Sequence, residues 1–147
     1  MVHAENRKAF HDYEIIERYE AGIVLEGHEV KAIKTGKISI FGSYVKTIGK
    51  EVFLIGATIS PYQPKNTPKE YDPQRTRKLL LNKKEIAGLI GKSKERGLTI
   101  VPLKVYHKKG KIKFEIGLAK ARKKRDKREV IKKKEEKRKI ERVLKSY

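Results

Sequence analysis

Histidines are the side chains of this sequence best suited to acid–base or metal chemistry, and they are few. His3, His11, His28 and His107 show no metal-ligand spacing such as HxxxH or HExxH. His28 stands beside Glu29, and these two residue types can work as an acid–base pair. The surrounding "AGIVLEGHEVKAI" predicts a long strand bent at Gly27, in which adjacent side chains point to opposite faces. We therefore expect no catalytic site at this pair.

Other reactive groups are also missing from the sequence. The chain has no cysteine, which excludes a disulfide framework, a thiolate nucleophile and a cysteine-based zinc site. It contains no phosphate-binding GxxxxGK[ST] loop. We expect no cofactor, no metal site and no enzymatic activity, because an enzyme would need a convergent polar site that the sequence does not offer.

Positive charge is the strongest property of the chain. Its formal net charge is +20, with 38 lysines and arginines against 18 acidic residues. Residues 120–147 hold 15 of the basic and 5 of the acidic residues, so this short tail carries half of the excess. Because lysine and arginine attract phosphates regardless of sequence, two contact regions for a polyanion are implied. RNA is favoured over duplex DNA, since no helix-turn-helix or zinc finger motif is present.

Length and hydropathy limit the architecture. A chain of 147 residues corresponds to about one ordinary domain of roughly 100–150 residues. No apolar run approaches the roughly 18 residues of a membrane span, and the start "MVHAENRKAF" lacks the hydrophobic stretch of a signal peptide. We expect a cytoplasmic protein without a membrane partner, and a monomer.

Residues 1–119 read mainly as β-strands. Gly49-Lys50 has the length of a two-residue hairpin turn that requires positive φ, and Gly110 turns the chain between the last two strands. Asn82 and Glu85 form a capping-box pattern that predicts a helix over about 83–96, with Gly97 ending it. The six predicted strands are "YEIIERY", "AGIVLEGHEVKAI", "SYVKTI", "EVFLIGATI", "TIVPLKVYH" and "KIKFEIGL".

This order of elements predicts a mainly β fold. We expect a small closed antiparallel β-barrel of oligonucleotide-binding type over residues 1–119, with one to three short helices. An open α+β sheet is the alternative. The proline-rich "SPYQPKNTPKEYDP" predicts a surface loop, which the basic residues Arg75, Arg77 and Lys78 follow. Six tyrosines are candidates to stack on unpaired bases, although most should lie partly in the core: Tyr13, Tyr19, Tyr44, Tyr62, Tyr71 and Tyr106.

Residues 120–147 predict a basic tail rather than part of the core. The stretch "RKKRDKREVIKKK" at 122–134 holds nine cationic side chains, with Asp126 set among them. Three glutamates are followed four residues later by lysine, which stabilises a helix by roughly 0.2–0.5 kcal/mol a pair. Because the interior of the tail has no apolar stripe, we expect it to be disordered when free and helical when bound. A permanently docked helix is the alternative.

Three stretches, in order along the chain, closely resemble signature sequences of the small protein B family, the SsrA-binding proteins of bacterial trans-translation: "YEAGIVLEGHEVKAIKTGK", "DPQRTRKLLLNKKEI" and "LAKARKKRDKR". "NRKAFHDYEI" and "GLTIVPLKVY" match as well, so the resemblance covers residues 6–134. It implies a non-catalytic protein with an oligonucleotide-binding-like barrel. Such a protein binds the tRNA-like domain of transfer-messenger RNA and delivers it to the empty A site of stalled ribosomes.

The resemblance also implies site residues. Three groups follow from it: an RNA-facing barrel surface, an RNA-binding stretch at the start of the tail, and a contact with the ribosomal decoding centre. Residues after the last group would form a helix in the empty mRNA channel. The groups are, in that order, Glu29, Val30, Lys31, Arg75, Arg77 and Lys78; Lys120, Arg122, Lys123 and Lys124; and Asp126, Lys127 and Arg128.

Two acidic residues have expected roles in these groups. The Glu29 carboxylate would accept hydrogen bonds from base amino groups or 2′-hydroxyls, or orient Lys31; a plain strand-edge carboxylate paired with a lysine is the alternative. Asp126 would cap the start of the tail helix, since a carboxylate there accepts from free backbone N–H groups.

Two residues depart from the family pattern. His28 replaces a small residue, which changes the packing or adds a contact, and Ala121 replaces a glycine, which affects how freely the tail hinges. A ribosomal or general single-stranded RNA-binding protein is the alternative function, because its composition would be similar. Such a protein has no reason to keep the family stretches together and in order.

Overall fold

Nine strands and four helices make up the structure, a computed structural model that describes residues 1–95 and 97–145, without the side chains of residues 66, 124–127, 130 and 143–145. The strands are β1 (Val2–Glu5), β2 (Tyr13–Ile23), β3 (Ile38–Ser39), β4 (Tyr44–Ile48), β5 (Glu51–Ile55), β6 (Thr58–Ile59), β7 (Arg77–Leu80), β8 (Leu98–Lys108) and β9 (Lys111–Ala121). The helices are α1 (Arg7–Asp12), α2 (Gly27–Lys34), α3 (Lys83–Ser93) and α4 (Lys124–Lys145), with a 3-10 turn at Pro64–Asn66.

Six strands pair edge to edge in a closed ring, which we call the strand ring. The order is β8-β4-β5-β7-β2-β9, and β9 pairs back onto β8, always antiparallel. Strand β1 adds to β8 outside this closure, and β3 and β6 form a separate two-stranded ribbon. The predicted mainly β fold, closed through antiparallel strands with short helices, is confirmed, and the open-sheet alternative is wrong.

The core follows the alternation of the strands. In β9, Ile112, Phe114, Ile116 and Leu118 are buried, as the period of two predicts. Burying one such side chain stabilises the fold by roughly 1.5–3 kcal/mol. The hairpin turns are also as predicted: Gly49 has φ +62° between β4 and β5, and Gly110 has φ +76° between β8 and β9. Both are two-residue loops.

The predicted strand over "AGIVLEGHEVKAI" is wrong beyond Ile23. The chain leaves β2 there and begins helix α2 at Gly27. Glu29 at the third helical position accepts a hydrogen bond from the Glu26 backbone N–H at 2.9 Å, which satisfies one donor at the helix start. Glu29, Ala32 and Ile33 are the buried face of α2, with the i, i+3, i+4 spacing of a helix. The Glu-x-x-Glu capping pattern and this spacing both indicate a helix, but the apolar, β-branched residues around them led to the prediction of a strand.

The helix predicted over about 83–96 exists as α3. The Asn82 side chain accepts from the Glu85 N–H at 2.8 Å, as the capping pattern predicts, and Leu89 is buried beneath the helix. Helix α3 ends at Ser93, three residues before the predicted end. Strand β7, which carries Arg77 and Lys78, was not predicted, because its four residues lie next to a proline-rich loop.

The tail forms helix α4, 22 residues long, and the side chains described along it are exposed. Its order when free stays a prediction. In the described part of the chain, no helix is both long and apolar enough to cross a membrane.

Candidate nucleic-acid interface

The carboxylate of Glu29 is the centre of a buried polar cluster. Its side chain is fully buried, and it enters the cluster from the inner face of α2. Oε2 accepts from Arg77 Nε at 2.8 Å and from Tyr71 OH at 3.0 Å, while Oε1 accepts from the guanidinium of Arg75 and from the Glu26 N–H. We call Glu29, Tyr71, Arg75 and Arg77 the Glu29 cluster. It joins α2 to the proline-rich loop and to β7.

Arg77 is as buried as its partner, with only 1% of its surface exposed. Its Nη1 donates to the Ala57 and Arg75 carbonyls at 2.9 and 3.0 Å, and its Nη2 donates to the Pro73 carbonyl at 2.9 Å and to Tyr71 OH at 3.1 Å. With the bond to Glu29, each of its five N–H groups has an acceptor. The guanidinium therefore fixes the backbone of the loop that precedes β7.

Electrostatics hold the cluster in its charged form. Burial acts to raise the pKa of Glu29, but the hydrogen bonds from Arg75, the Glu26 backbone and Arg77 outweigh it and lower this pKa to about 2. Burial and the neighbouring Glu29 carboxylate raise the pKa of Tyr71 to about 12. Near neutral pH, Glu29 is therefore an anion and Tyr71 a neutral hydroxyl donor.

This arrangement corrects the expected position of two residues. Glu29 was expected on a strand surface and Arg77 on an RNA-facing surface, but neither side chain has surface that a ligand can reach in this structure. The physical reason is their pairing, because two charges can leave water together when their hydrogen bonds are satisfied. Arg75 is half-buried and still reaches the surface from the cluster.

Around the cluster, α2 presents a cationic surface. Lys31 and Lys34 are exposed and lie three residues apart, so they share one side of the helix. Lys37 follows, with its ammonium donating to the Tyr62 carbonyl at 3.1 Å and lying 6.0 Å from the Tyr62 ring centre. We call Lys31, Lys34, Lys37 and Arg75 the α2 surface. Val30, also predicted to face RNA, is half-buried and packs against the core.

His28, which departs from the family pattern, was expected to change the packing or to add a contact, and in the structure it does both. Its Nε2 lies 2.5 Å from the Glu26 carboxylate, and its ring packs edge-on against Tyr71 with centroids 4.6 Å apart. His28 thereby packs on the Glu29 cluster from outside. The prediction that a strand turns His28 and Glu29 to opposite faces is wrong in its premise, because both residues lie on helix α2.

Lys78 lies apart from Arg77 although they are neighbours in sequence. Because strand neighbours point to opposite faces, Lys78 projects outward from β7, where it pairs with Glu51 at 3.2 Å. The basic stretch at 75–78 therefore divides into one buried arginine, one half-buried arginine and one exposed lysine.

The second predicted contact region is the start of the tail, residues 120–123, which we call the tail root. Lys120 is exposed near the end of β9, and Arg122 is tied to the fold by its N–H on the Asp12 carbonyl at 2.8 Å and its Nε on the Tyr13 carbonyl at 3.2 Å. Ala121 pairs with Tyr13 as the last residue of β9, so this position does not need the positive φ of glycine. Lys123 is exposed.

The remaining tail residues are only partly described. The side chains of Lys124, Asp126 and Lys127 lie outside the described part of the structure, while that of Arg128 is exposed on α4. Helix α4 begins at Lys124, so Asp126 lies in its first turn and not at the capping position before it. A carboxylate in the first turn still interacts favourably with the positive end of the helix dipole.

The α2 surface and the tail root lie at opposite ends of β2. The tail root pairs with Tyr13, the first residue of that strand, and α2 follows its last residue, Ile23. Eleven residues of strand at about 3.3 Å each separate the two surfaces by roughly 30 Å. This separation allows one RNA to contact the α2 surface while a second anion contacts the tail root.

Comparisons with known proteins agree on one family. The SsrA-binding protein of Cupriavidus taiwanensis is 54% identical over 145 residues, which cover 99% of this chain and 97% of that protein. The SsrA-binding protein of Sulfurihydrogenibium sp. is also 54% identical, over 98% of this chain and 94% of that protein. A solved structure described as "tmRNA-SmpB: a journey to the center of the bacterial ribosome" has a TM-score of 0.68 and 47% identity, and the match covers 82% of this chain and 85% of that one.

The family model described as SmpB protein matches residues 3–146, which include every element from α1 to α4 and all of β1 except Val2. Because this match and the identities above span nearly the whole sequence, the chain belongs to the SmpB protein family.

Proposed function

We propose that this protein binds the tRNA-like domain of transfer-messenger RNA and delivers it to stalled ribosomes for rescue and for tagging of incomplete peptides. The observation that carries the proposal is the cationic α2 surface, held in place by the buried Glu29 cluster. The names of the relatives and the ribosome-bound structural neighbour support it. The protein acts in the cytoplasm, as a monomer, by binding and not by catalysis.

The residues of the α2 region divide into contacts and positioning residues. Lys31 and Arg75 supply charge to RNA phosphates, and Lys78 extends this charge onto the outer face of β7. Glu29 and Arg77 are positioning residues. Their bonds fix α2 against the loop at 60–76, so that the residues that contact RNA keep one geometry. Val30 supports the same helix from its core side.

The tail serves the ribosome in this proposal. Lys120, Arg122, Lys123 and Lys124 continue the RNA contact from the end of β9, and Asp126, Lys127 and Arg128 reach the decoding centre. The rest of α4 lies in the empty mRNA channel, where ribosomal RNA surrounds its positive charge. The exposed and mainly charged side chains in the described part of α4 support a partner that is itself charged.

Binding of the tRNA-like domain, compared with an unrelated structured RNA of equal length, tests this function. The full chain and a truncation after Lys123, which leaves β9 whole, are titrated at several salt concentrations. We expect the truncated chain to keep its preference for the tRNA-like domain. Lys31→Ala should weaken this binding, whereas Lys84→Ala, an exposed lysine on α3, serves as its charge-matched control.

A general single-stranded RNA-binding protein is the alternative, and the same titration separates it. If the preference for the tRNA-like domain is lost at all salt concentrations, or disappears with the tail, the chain binds polyanions without selecting among them. Equal losses for Lys31→Ala and Lys84→Ala would likewise mean that no particular surface recognises the RNA.

A further inference from the structure

A phenylalanine is held in solvent at the tip of a tight turn. Between β3 and β4, the Ser43 N–H and Oγ both donate to the Ile40 carbonyl, at 3.2 and 2.6 Å, and both of these residues are buried. Gly42 supplies the positive φ of +75° that the turn requires. Phe41 at the tip is 68% exposed. Turn tips usually carry small or polar residues, and this exposed ring adds little to the core.

The ring borders a pocket with the groups that an unpaired nucleotide needs. The pocket, of about 340 Å³, lies between this turn and α1, and its lining includes Phe41, Tyr44, Tyr13, Lys8 and Asp12. Tyr44 is 48% exposed, and the Lys8 ammonium lies 5.2 Å from the centre of the Phe41 ring. Aromatic faces stack on bases, and a lysine attracts the adjoining phosphate.

Two residues that line this pocket, Asp12 and Tyr13, also contact the tail root. The Asp12 carbonyl accepts from the Arg122 N–H, and the Tyr13 carbonyl accepts from Arg122 Nε. An RNA strand that follows the charges of the tail root therefore passes the mouth of the pocket. Two partly exposed rings offer too little apolar area for a protein interface, which usually buries over about 1,000 Å². A single stacked base fits them better.

We propose that this pocket, which we call the Phe41 pocket, binds one unpaired nucleotide of an RNA partner by stacking on Phe41. The inference rests on the proposed function in requiring that the partner is RNA, and it adds a third contact to the α2 surface and the tail root. Lys8 holds the phosphate next to the stacked base.

Photocrosslinking and titration with the full chain test the Phe41 pocket. The probe is a short labelled oligouridylate that carries one 4-thiouridine. Because stacking persists when salt screens the charges, Phe41→Ala should weaken high-salt binding roughly tenfold, while Phe41→Tyr keeps a stacking ring and restores it. Ile48→Ala, another exposed apolar residue on β4, is the matched control and should bind like the parent. The crosslink should map to residues 41–44.

The inference is overturned if Phe41→Ala binds the oligouridylate as tightly as the parent at high salt, or if the crosslink maps elsewhere. A crosslink from this turn to a ribosomal protein, with oligouridylate binding unchanged, would overturn it in favour of a protein partner. Binding to the tRNA-like domain, measured in parallel, separates the two proposals. If the parent chain does not prefer the tRNA-like domain to an unrelated structured RNA, the proposed function is contradicted. The oligouridylate result alone decides whether the pocket binds a nucleotide.

Discussion

The Glu29 cluster and helix α4 use charge in opposite ways. In the cluster, the Glu29 carboxylate and the Arg77 guanidinium are withdrawn from water and bonded to each other and to backbone carbonyls, and Arg75 is half-buried beside them. Along α4, the described side chains are exposed to solvent. Buried charges are costly to separate, so the cluster fixes one geometry. Exposed charges contribute little to stability and remain available to a partner.

Arg77→Met is expected to have the largest effect on folding. It removes one cationic donor from the buried Glu29 carboxylate and the Arg77 donor from the Ala57 and Pro73 carbonyls, so the free energy of unfolding should fall by about 3–5 kcal/mol. Urea unfolding measures this loss. Lys78→Met, the exposed neighbour on β7, is the control and should cost less than about 1 kcal/mol. Similar losses for both variants would break the comparison between buried and exposed charge.

Glu29→Gln should have the next largest effect, and it should depend on pH. The amide cannot replace the carboxylate toward two guanidinium groups, so we expect a loss of about 2–3 kcal/mol at neutral pH. The pKa of Glu29 falls from 4.5 to about 2 on folding, so between these pH values the Glu29 carboxyl group binds fewer protons in the folded chain than in the unfolded chain. Its stabilising contribution is therefore complete above pH 4.5 and is lost as the pH falls toward 2.

Urea unfolding of the parent and of Glu29→Gln between pH 2 and 7 measures this dependence. The difference in stability between them should shrink steadily below pH 4.5. Glu51→Gln, whose carboxylate is exposed, is the control and should show no comparable narrowing. A difference that stays constant over this range would mean that the Glu29 charge does not hold the cluster together.

The same contrast explains what the sequence could predict. Strand β9 alternates from Lys111 to Ile116 and is joined to β8 by a turn at Gly110, so the local pattern is enough to predict this hairpin. The Glu29 cluster depends on residues up to 48 positions apart, and nothing in a local pattern tells a buried glutamate from a surface one. Helix α2 was missed because Val30 and Ile33 are β-branched, and their strand preference outweighed the capping pattern.

For the site residues, the sequence predicted which residues come together better than it predicted which of their side chains are buried. Glu29, Arg75 and Arg77 do come together, although they lie on a helix, a loop and a strand. Their burial could not be predicted, because it depends on Tyr71 and on the loop carbonyls that complete the cluster. For the tail, in contrast, the local pairs of opposite charges favour a helix, and the prediction that it is disordered when free and helical when bound stays a prediction.

Truncation after Lys123 should change stability less than either cluster variant. Because the described side chains of α4 are exposed, the strand ring should lose less than about 1 kcal/mol of unfolding free energy when α4 is removed. Affinity for RNA should depend less steeply on salt, since fewer phosphates are neutralised. Urea unfolding and salt titrations measure the two effects. A loss above about 3 kcal/mol would show that α4 is docked as part of the core.

The smallest effect concerns a single pair on α4. Glu135 precedes Lys139 by four residues, the favourable orientation for opposite charges on a helix, and each such pair contributes roughly 0.2–0.5 kcal/mol to helix stability. Glu135→Gln should therefore lower the helical content of the tail slightly, as measured by the far-ultraviolet circular dichroism difference between the full chain and the truncation. Adding salt should reduce this effect, because screening weakens the pair. Glu51→Gln, outside the tail, should leave that difference unchanged. If Glu135→Gln instead destabilised the whole fold as strongly as Glu29→Gln, exposed and buried carboxylates would be equivalent in this protein, and burial would not be what sets the Glu29 cluster apart.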